Sequence, residues 1–296
     1  MGLSDIHLHL DGSLRRQTVE AFAREDGVTL PPQLLFAPGM GLDRALACFG
    51  FTLRLLRTPA RVAQVAHEIC EDASHHGVST LEIRFAPQLH GDHPAHFVDA
   101  AIEGCAGRAG IILCTLYGEP PEVSEGLVDL AATRKAVVGI DLAGGPVPGL
   151  DCRMQLYADA FARARRLEIG RTVHAGEGRP PAEIRDAIEV LHAQRIGHGT
   201  SLLDDPRVVE LVRERGVTLE ACPTSNVHTG AIAQVEDHPI GTWLQMGLKA
   251  CINTDNTFFS DVDAPREYER ALLSRGMTPA LLQQATEYGH AARFTR

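Results

Sequence analysis

The chain has 296 residues and no apolar run approaching the roughly 18 needed to cross a membrane; its longest runs are of the order of Ala109 to Cys114. It has no C-x-x-C pair, so its seven cysteines, an odd number, read as reduced thiols and not as a disulfide framework. It lacks a basic tract and carries a formal net charge of -10, which argues against polymeric nucleic acid, whose phosphates need clustered Lys and Arg. Low-complexity stretches and obvious linkers are missing, and so is a glycine-rich phosphate turn after the first strand. A motif that begins at His7 leaves no length for a cleavable signal before it. These absences predict a cytoplasmic protein with no membrane or nucleic-acid partner. They carry no signature of oligomeric state.

With 44% hydrophobic residues the chain can bury a large core, and its length suits one barrel-type domain spanning 1–296. The opening run Asp5-Ile-His-Leu-His-Leu-Asp-Gly12 puts His7 and His9 two residues apart in a strand. Alternation then sends both imidazoles to one face and Ile6, Leu8 and Leu10 to the other. Hydrogen-bonded histidines on a half-buried strand account for that pair as well as half a metal site does. Three further clusters tip the balance, each directly after a short β-like run: His174-Ala-Gly-Glu177, Ile196-Gly-His198-Gly199 and Asn253-Thr-Asp255-Asn256.

Strand-like runs are predicted over Thr80 to Phe85, Ile111 to Leu116, Ala136 to Asp141, Arg171 to His174, Arg195 to His198, Val217 to Ala221 and Lys249 to Asn253. With the opening strand they number eight, and helical segments alternate with them. Helix starts are marked by Ser13 as a cap, Thr58-Pro59, Pro181, Asp205-Pro206 and Pro239. Several helices fall between the first two strands. Within them Cys48-Phe-Gly-Phe-Thr-Leu53 reads as an apolar wall over the site or as ordinary core.

The fold class is therefore α/β, a (β/α)8 TIM barrel with extra helices inserted between strands one and two. The polar residues support a closed barrel, because they follow successive strands: Asp11 and Gly12, Gln88, Tyr117, Gly144, His174 and Glu177, His198, Ser225 and Asn226, Asp255 and Asn256. In a barrel these ends share one face.

His7, His9, His174 and Asp255 make a set of three imidazoles and one carboxylate, suited to one Zn2+ and compatible with Fe2+ or Mn2+. Such an ion lowers the pKa of a water to about 7. Glu177, one turn past His174, is then placed to deliver a proton, and His198 to hold or deprotonate that water.

These stretches, together with Glu82-Ile-Arg-Phe-Ala-Pro87, Gly139-Ile-Asp-Leu-Ala-Gly144 and Cys222-Pro-Thr-Ser-Asn226, resemble a bacterial member of the adenosine deaminase family within the amidohydrolase superfamily. The resemblance implies hydrolysis of the 6-amino group of a purine nucleoside, adenosine or 2′-deoxyadenosine, to the 6-oxo product with release of ammonia. It makes Glu177 the donor to purine N1 and His198 the residue that orients the nucleophile. It also gives Asp255 a catalytic as well as a metal-binding part and implies that His9 touches substrate. Gly144 is set against N3, Asp11 at the ribose 5′-hydroxyl and Asn256 at N7.

Relatives often carry a second aspartate where Asn256 stands; its amide can donate to N7 without being protonated. Relatives also often carry arginine near Leu116-Tyr-Gly118, and residues 36 to 58 match poorly. Two alternatives stay open among enzymes: a deaminase of free adenine, whose relatives tend to carry glutamate in place of Asp11, or of a 5′-modified nucleoside such as aminodeoxyfutalosine. Outside enzymes, a non-catalytic metal-binding barrel would have little use for Glu177 and His198.

Overall fold

The computed structural model describes residues 2–296. Among them eight parallel strands form one sheet in sequence order: β1 Leu3–His9, β2 Val78–Phe85, β3 Gly110–Leu116, β4 Val137–Ala143, β5 Gly170–Ala175, β6 Arg195–His198, β7 Thr218–Ala221 and β8 Lys249–Ile252. The sheet curls into a nearly closed (β/α)8 barrel, as the alternating pattern predicted. Its seam is held by both backbone and side chains. His9 N–H donates to the Asp255 carbonyl at 2.8 Å and Asp255 N–H to the His7 carbonyl at 2.9 Å, while Asn253 Oδ1 accepts from Ile6 N–H at 2.9 Å. The seam thus ties the two histidines of β1 directly to Asp255.

Three helices fill the connection between β1 and β2: α1 Arg16–Glu25, α2 Leu42–Leu55 and α3 Pro59–His75. Thr58 caps α3 as expected, its hydroxyl accepting from Arg61 N–H, with proline at the first helical position. Ser13 does not cap α1, which begins at Arg16. Its hydroxyl accepts from Thr257 N–H at 3.2 Å, because the tight passage from β1 brings it beside the β8 loop.

The outer layer continues with α4 Pro94–Cys105, α5 Pro121–Ala132, α6 Ala158–Arg166, α7 Ala182–Glu189, α8 Pro206–Arg215, α9 Pro223–Thr229, α10 Ile240–Gln245, α11 Ala264–Ala271 and α12 Pro279–Ala292. Residues such as Ile83, Ile111, Ile140, Val173, Ile196 and Leu219 are buried between barrel and helices. Among the described residues no helix is long and apolar enough to cross a membrane.

Inside the barrel, directly beneath its carboxyl-terminal mouth, lies a floor of charge. Arg84 donates to Asp141 (2.8 Å) and Glu220 (3.0 Å), and Arg195 lies 2.6 Å from Glu220 and 2.7 Å from Glu82 with N–H vectors oblique to both. All five side chains are buried. Phe294 lies beneath them: its backbone N–H donates to Glu82, the Arg195 guanidinium sits 3.7 Å from its ring centroid, and a Cβ at Gly170 would collide with the ring.

Candidate metal centre and active site

Directly above this floor, His7 and His9 project from β1 into the barrel mouth, where His174 from the end of β5 and Asp255 from the turn after β8 meet them. His9 Nε2 lies 3.2 Å from His174 Nε2, and the Nε2 atoms of His7 and His9 each lie 3.4 Å from Asp255 Oδ1. Ligands bound to a tetrahedral ion at about 2.0–2.1 Å stand about 3.3–3.4 Å apart, so these separations suit one ion.

The distal nitrogens are occupied. His7 Nδ1 is 2.6 Å from Glu220 Oε2 and His174 Nδ1 is 3.1 Å from Asp141 Oδ2. Each carboxylate accepts a hydrogen bond from Nδ1–H and so turns the Nε2 lone pair toward the cluster, the arrangement seen around ligating histidines. His7 Nε2 is buried with no hydrogen-bond partner among the described residues. Such an atom costs about 1–3 kcal/mol unless something binds it, and a cation does. Gly197 makes room for this: a Cβ there would stand 2.9 Å from the His7 ring.

Electrostatics agree with a cation site. Burial holds His9 well below the usual histidine range and takes His198 down to about 4, so both are neutral. Burial alone would raise Asp255, but the neighbouring imidazoles of His7, His9 and His198 hold it well below the ordinary carboxylate range. A neutral His9 beside an ionised Asp255 is the protonation state that metal binding requires, whereas His7 is held above the usual histidine range, the carboxylates of Asp255 and Glu220 outweighing its burial.

Glu177 does not begin a helix one turn past His174. Gly176 and Gly178, both at positive φ, carry it out on a loop, and α7 starts only at Ala182. A glutamate kept merely by a helix dipole is thereby excluded. Its Oε1 accepts from Thr229 Oγ1 (2.9 Å) and Asn226 Nδ2 (3.3 Å), leaving Oε2 on the side of His198 Nε2, 3.7 Å away. His198 and Asp255 are non-glycine residues in the left-handed region, at φ 67° and 62°. That conformation costs of order 1–3 kcal/mol each, and it aims both side chains inward from strand ends.

Asp11, Gly144 and Asn256 surround the same mouth. Asp11 Oδ1 and Asn256 Oδ1 are buried without partners among the described residues, and burial pushes the Asp11 carboxyl up to about 7. Gly12 must be glycine because a Cβ would collide with the Asn256 amide. A cavity of about 50 Å3 lies over the cluster, lined by His9, Gly144, Glu177, His198, Ser225 and Asn256. It shares His9, Phe49 and Gly144 with an outer chamber of about 320 Å3 that Asp11 and Tyr117 also line. Gln88 stays outside both cavities, its amide donating to the Cys114 carbonyl and Glu119.

The apolar wall is α2. Leu42, Leu46, Phe49 and Leu53 repeat at helical spacing and line these cavities, with Phe49 6.1 Å from His9 between ring centroids. Cys48 and Thr52 of the predicted hexapeptide turn away, bonding to the Arg44 and Phe49 carbonyls.

Sequence reasoning overlooked Asp141, Glu220, Thr229 and His238 as parts of this site. A signal existed for the first two: a lone charge within an otherwise apolar strand, Val137-Val-Gly-Ile-Asp141 and Thr218-Leu-Glu220, must face a partner inside the barrel. Nothing local marks Thr229 or His238.

Fold and cluster together define the class: a metal-dependent hydrolase barrel with its site at the carboxyl ends of the strands. A family model described as adenosine deaminase matches residues 3–295. The adenosine deaminase of Shewanella halifaxensis is 35% identical over 288 residues, covering 90% of this chain and 86% of that protein. That of Clostridium perfringens is 34% identical over 286 residues, covering 90% and 85%. The chain belongs to the adenosine deaminase family and is a hydrolytic deaminase. Among solved structures, the adenine deaminase of Arthrobacter aurescens superposes with a TM-score of 0.90 at 24% identity, over 100% of this chain and 94% of that one. A zinc-bound amidohydrolase from Burkholderia ambifaria gives 0.86 at 23%, over 100% and 86%. Both share the fold.

Proposed function

We propose that residues 1–296 act as one domain that deaminates a 6-aminopurine nucleoside, adenosine or 2′-deoxyadenosine, with one zinc ion held by His7, His9, His174 and Asp255. The observation that carries the metal assignment is the buried, unpartnered Nε2 of His7 beside nitrogen and oxygen donors at 3.2–3.4 Å separations. When bound, the ion supplies a Lewis acid that brings the pKa of a water to about 7.

The chain's own residues do the rest. His198 orients the attacking water toward purine C6. Glu177 holds a proton at Oε2 and gives it to N1, so that the electron pair displaced from the C6–N1 bond is neutralised as water adds. The proton that the water releases restores Glu177, and the adduct's remaining hydroxyl proton passes to the amino group, which departs as ammonia and leaves the 6-oxo purine. Gly144 N–H is directed to N3 and the Asn256 amide to N7, while the α2 wall excludes water from the base.

A nucleoside is favoured over adenine by the outer chamber. Its about 320 Å3 and the partnerless Asp11 Oδ1 would have no use with a bare base. Adenine would leave a buried polar atom unmatched. The chamber wall is largely apolar, with Leu46, Leu53, Leu116 and Val147, and has no Lys or Arg. This supports a second reading, a nucleoside with an uncharged or apolar 5′ group, and opposes a 5′-phosphate.

The test is loss of the 6-aminopurine absorbance with adenosine, 2′-deoxyadenosine, adenine, a 5′-alkylthio nucleoside and AMP side by side. Adenosine and deoxyadenosine are expected to react, and AMP, a nucleotide, to be the poorest of the compounds that carry a ribose. Adenine as the best substrate would overturn the nucleoside reading. Glu177→Gln keeps shape and metal but cannot give up a proton, and should lose at least ~100-fold in kcat.

A further inference from the structure

Asn226 and His238 stand behind the two groups assigned to proton handling, and the directions of their hydrogen bonds can be worked out from one fixed end. Ile240 N–H is a backbone donor pointing at His238 Nδ1, 3.2 Å away. That nitrogen must accept, so the His238 proton is on Nε2. His238 Nε2 lies 3.2 Å from Asn226 Oδ1 and donates to it. The amide is then oriented with Nδ2 toward His198 Nδ1 at 3.0 Å and Glu177 Oε1 at 3.3 Å. The reverse orientation would set NH2 against the His238 N–H and the amide oxygen against the carboxylate. His198 Nδ1 therefore accepts, and the proton every imidazole carries must sit on its Nε2. Thr229 Oγ1–H also donates to Glu177 Oε1 at 2.9 Å, which leaves Oε2 as the oxygen able to hold a proton. All the side chains on this path except the half-buried Thr229 are buried, and His238 is held edge-on to Trp243 at 5.5 Å between centroids.

We propose that Asn226, oriented by His238, is the positioning residue that fixes the proton-bearing atom of both His198 and Glu177. The inference rests on the deaminase reading only for its kinetic consequence. His198 Nε2–H is a donor, so it cannot ligate an ion even though His198 lies as close to His7 and Asp255 as a ligand would. It instead holds the attacking water by donating to its oxygen. The acid and the water holder are set by one amide, and a single rotation of that amide would disable both.

The experiment is long-range 1H–15N correlation on zinc-loaded, 15N-histidine-labelled protein, with His198 assigned by difference against His198→Gln. In the wild type His198 should carry its proton on Nε2. In Asn226→Asp the carboxylate accepts at the same place, so His198 should move its proton to Nδ1. kcat should then fall by about 100-fold with KM little changed. His238→Gln keeps a donor toward Asn226 and should retain the tautomer and most of kcat, whereas His238→Leu should lose both. A proton on His198 Nδ1 in the wild type would overturn the proposal, as would Asn226→Asp with an unchanged tautomer and kcat within twofold. If Asn226→Asp does not fold, the wild-type spectrum and the His238 pair decide it. Failure of the wild type to deaminate any adenine nucleoside would count against the proposed function alone, since the tautomer is read without turnover.

Discussion

The charged floor of this barrel and the mouth above it handle buried polarity differently. At the floor, Arg84 and Arg195 face Glu82, Asp141 and Glu220 at 2.6–3.0 Å, so every full charge has an opposite charge against it. At the mouth, His7 Nε2, Asp11 Oδ1 and Asn256 Oδ1 are buried with no partner among the described residues, and His198 and Asp255 hold left-handed backbone. Charge at the floor is neutralised pairwise within the chain, although Glu82 Oε2, Arg84 Nε and Arg195 Nε and Nη2 make no hydrogen bond of their own among the described residues. Left-handed backbone at the mouth, with charge pairing beneath it, separates the part that carries the candidate site from the part that holds it in position. Glu220 joins the two, since one carboxylate contacts both floor arginines and His7.

The largest effect should come from removing the mouth's donors. A His7→Ala, His9→Ala double variant should lose the divalent ion, about one per chain, that elemental analysis is expected to find in the wild type, and with it essentially all turnover. Full metal content in that variant would remove β1 from the metal centre.

Cutting the link between floor and mouth comes next. Glu220→Gln leaves Arg84 and Arg195 short of one negative charge, a change that typically costs about 3–5 kcal/mol when a buried pair is broken. It also releases His7 Nδ1, which should weaken metal affinity by about 10–100-fold. Denaturant unfolding and chelator competition measure the two separately. Lost stability with unaltered metal affinity would mean that floor and mouth are independent.

Within the mouth, Asp11→Ala should reduce kcat/KM for adenosine by about 10-fold or more, as loss of a hydrogen bond to a charged group does, and leave adenine turnover nearly untouched. Equal losses on both substrates would take Asp11 out of ribose recognition.

The smallest effect concerns a buried carboxyl outside the floor lattice. Glu267 on α11 accepts from Thr224 N–H at 2.8 Å, and burial pushes its pKa up to about 7. An unfolded glutamate titrates near 4.3, so between about pH 4 and 7 the unfolded chain ionises while the folded one stays protonated. The stability that Glu267 contributes at low pH is thus lost as pH rises through 7. Glu267→Gln lacks this loss, and its Tm relative to wild type should rise by about 2–4 °C from pH 5 to pH 8. Parallel Tm profiles would show that Glu267 is ionised in the fold.

Much of this was legible in the residues because barrel architecture repeats in one dimension. Eight β-like runs alternate with helix-start signals, and a strand's two-residue period is enough to send His7 and His9 to the same face. Arg195 to His198 appears at its predicted bounds, and the other strands differ at one end or both by a residue or two, as hydrogen bonding across the sheet extends or trims them. The resemblance named the residues of the mouth, and metal donors at strand ends can meet in few ways once the barrel closes. Ser13 shows where local reading stops: a serine before a helix is a good cap by propensity, but a neighbouring strand's loop offered its hydroxyl another donor. Glu177 shows it again, because two glycines at positive φ decide between loop and helix, and a glycine in sequence does not say which sign its φ takes. By itself the sequence determined the order of elements, the donor chemistry and the charges that had to find partners. Only the tertiary structure decided which partners those were. Glu220 meets His7 across 213 positions and His238 meets Asn226 across a helix boundary, and hydrogen-bond direction, which sets where each proton sits, exists only once donor and acceptor face each other in space.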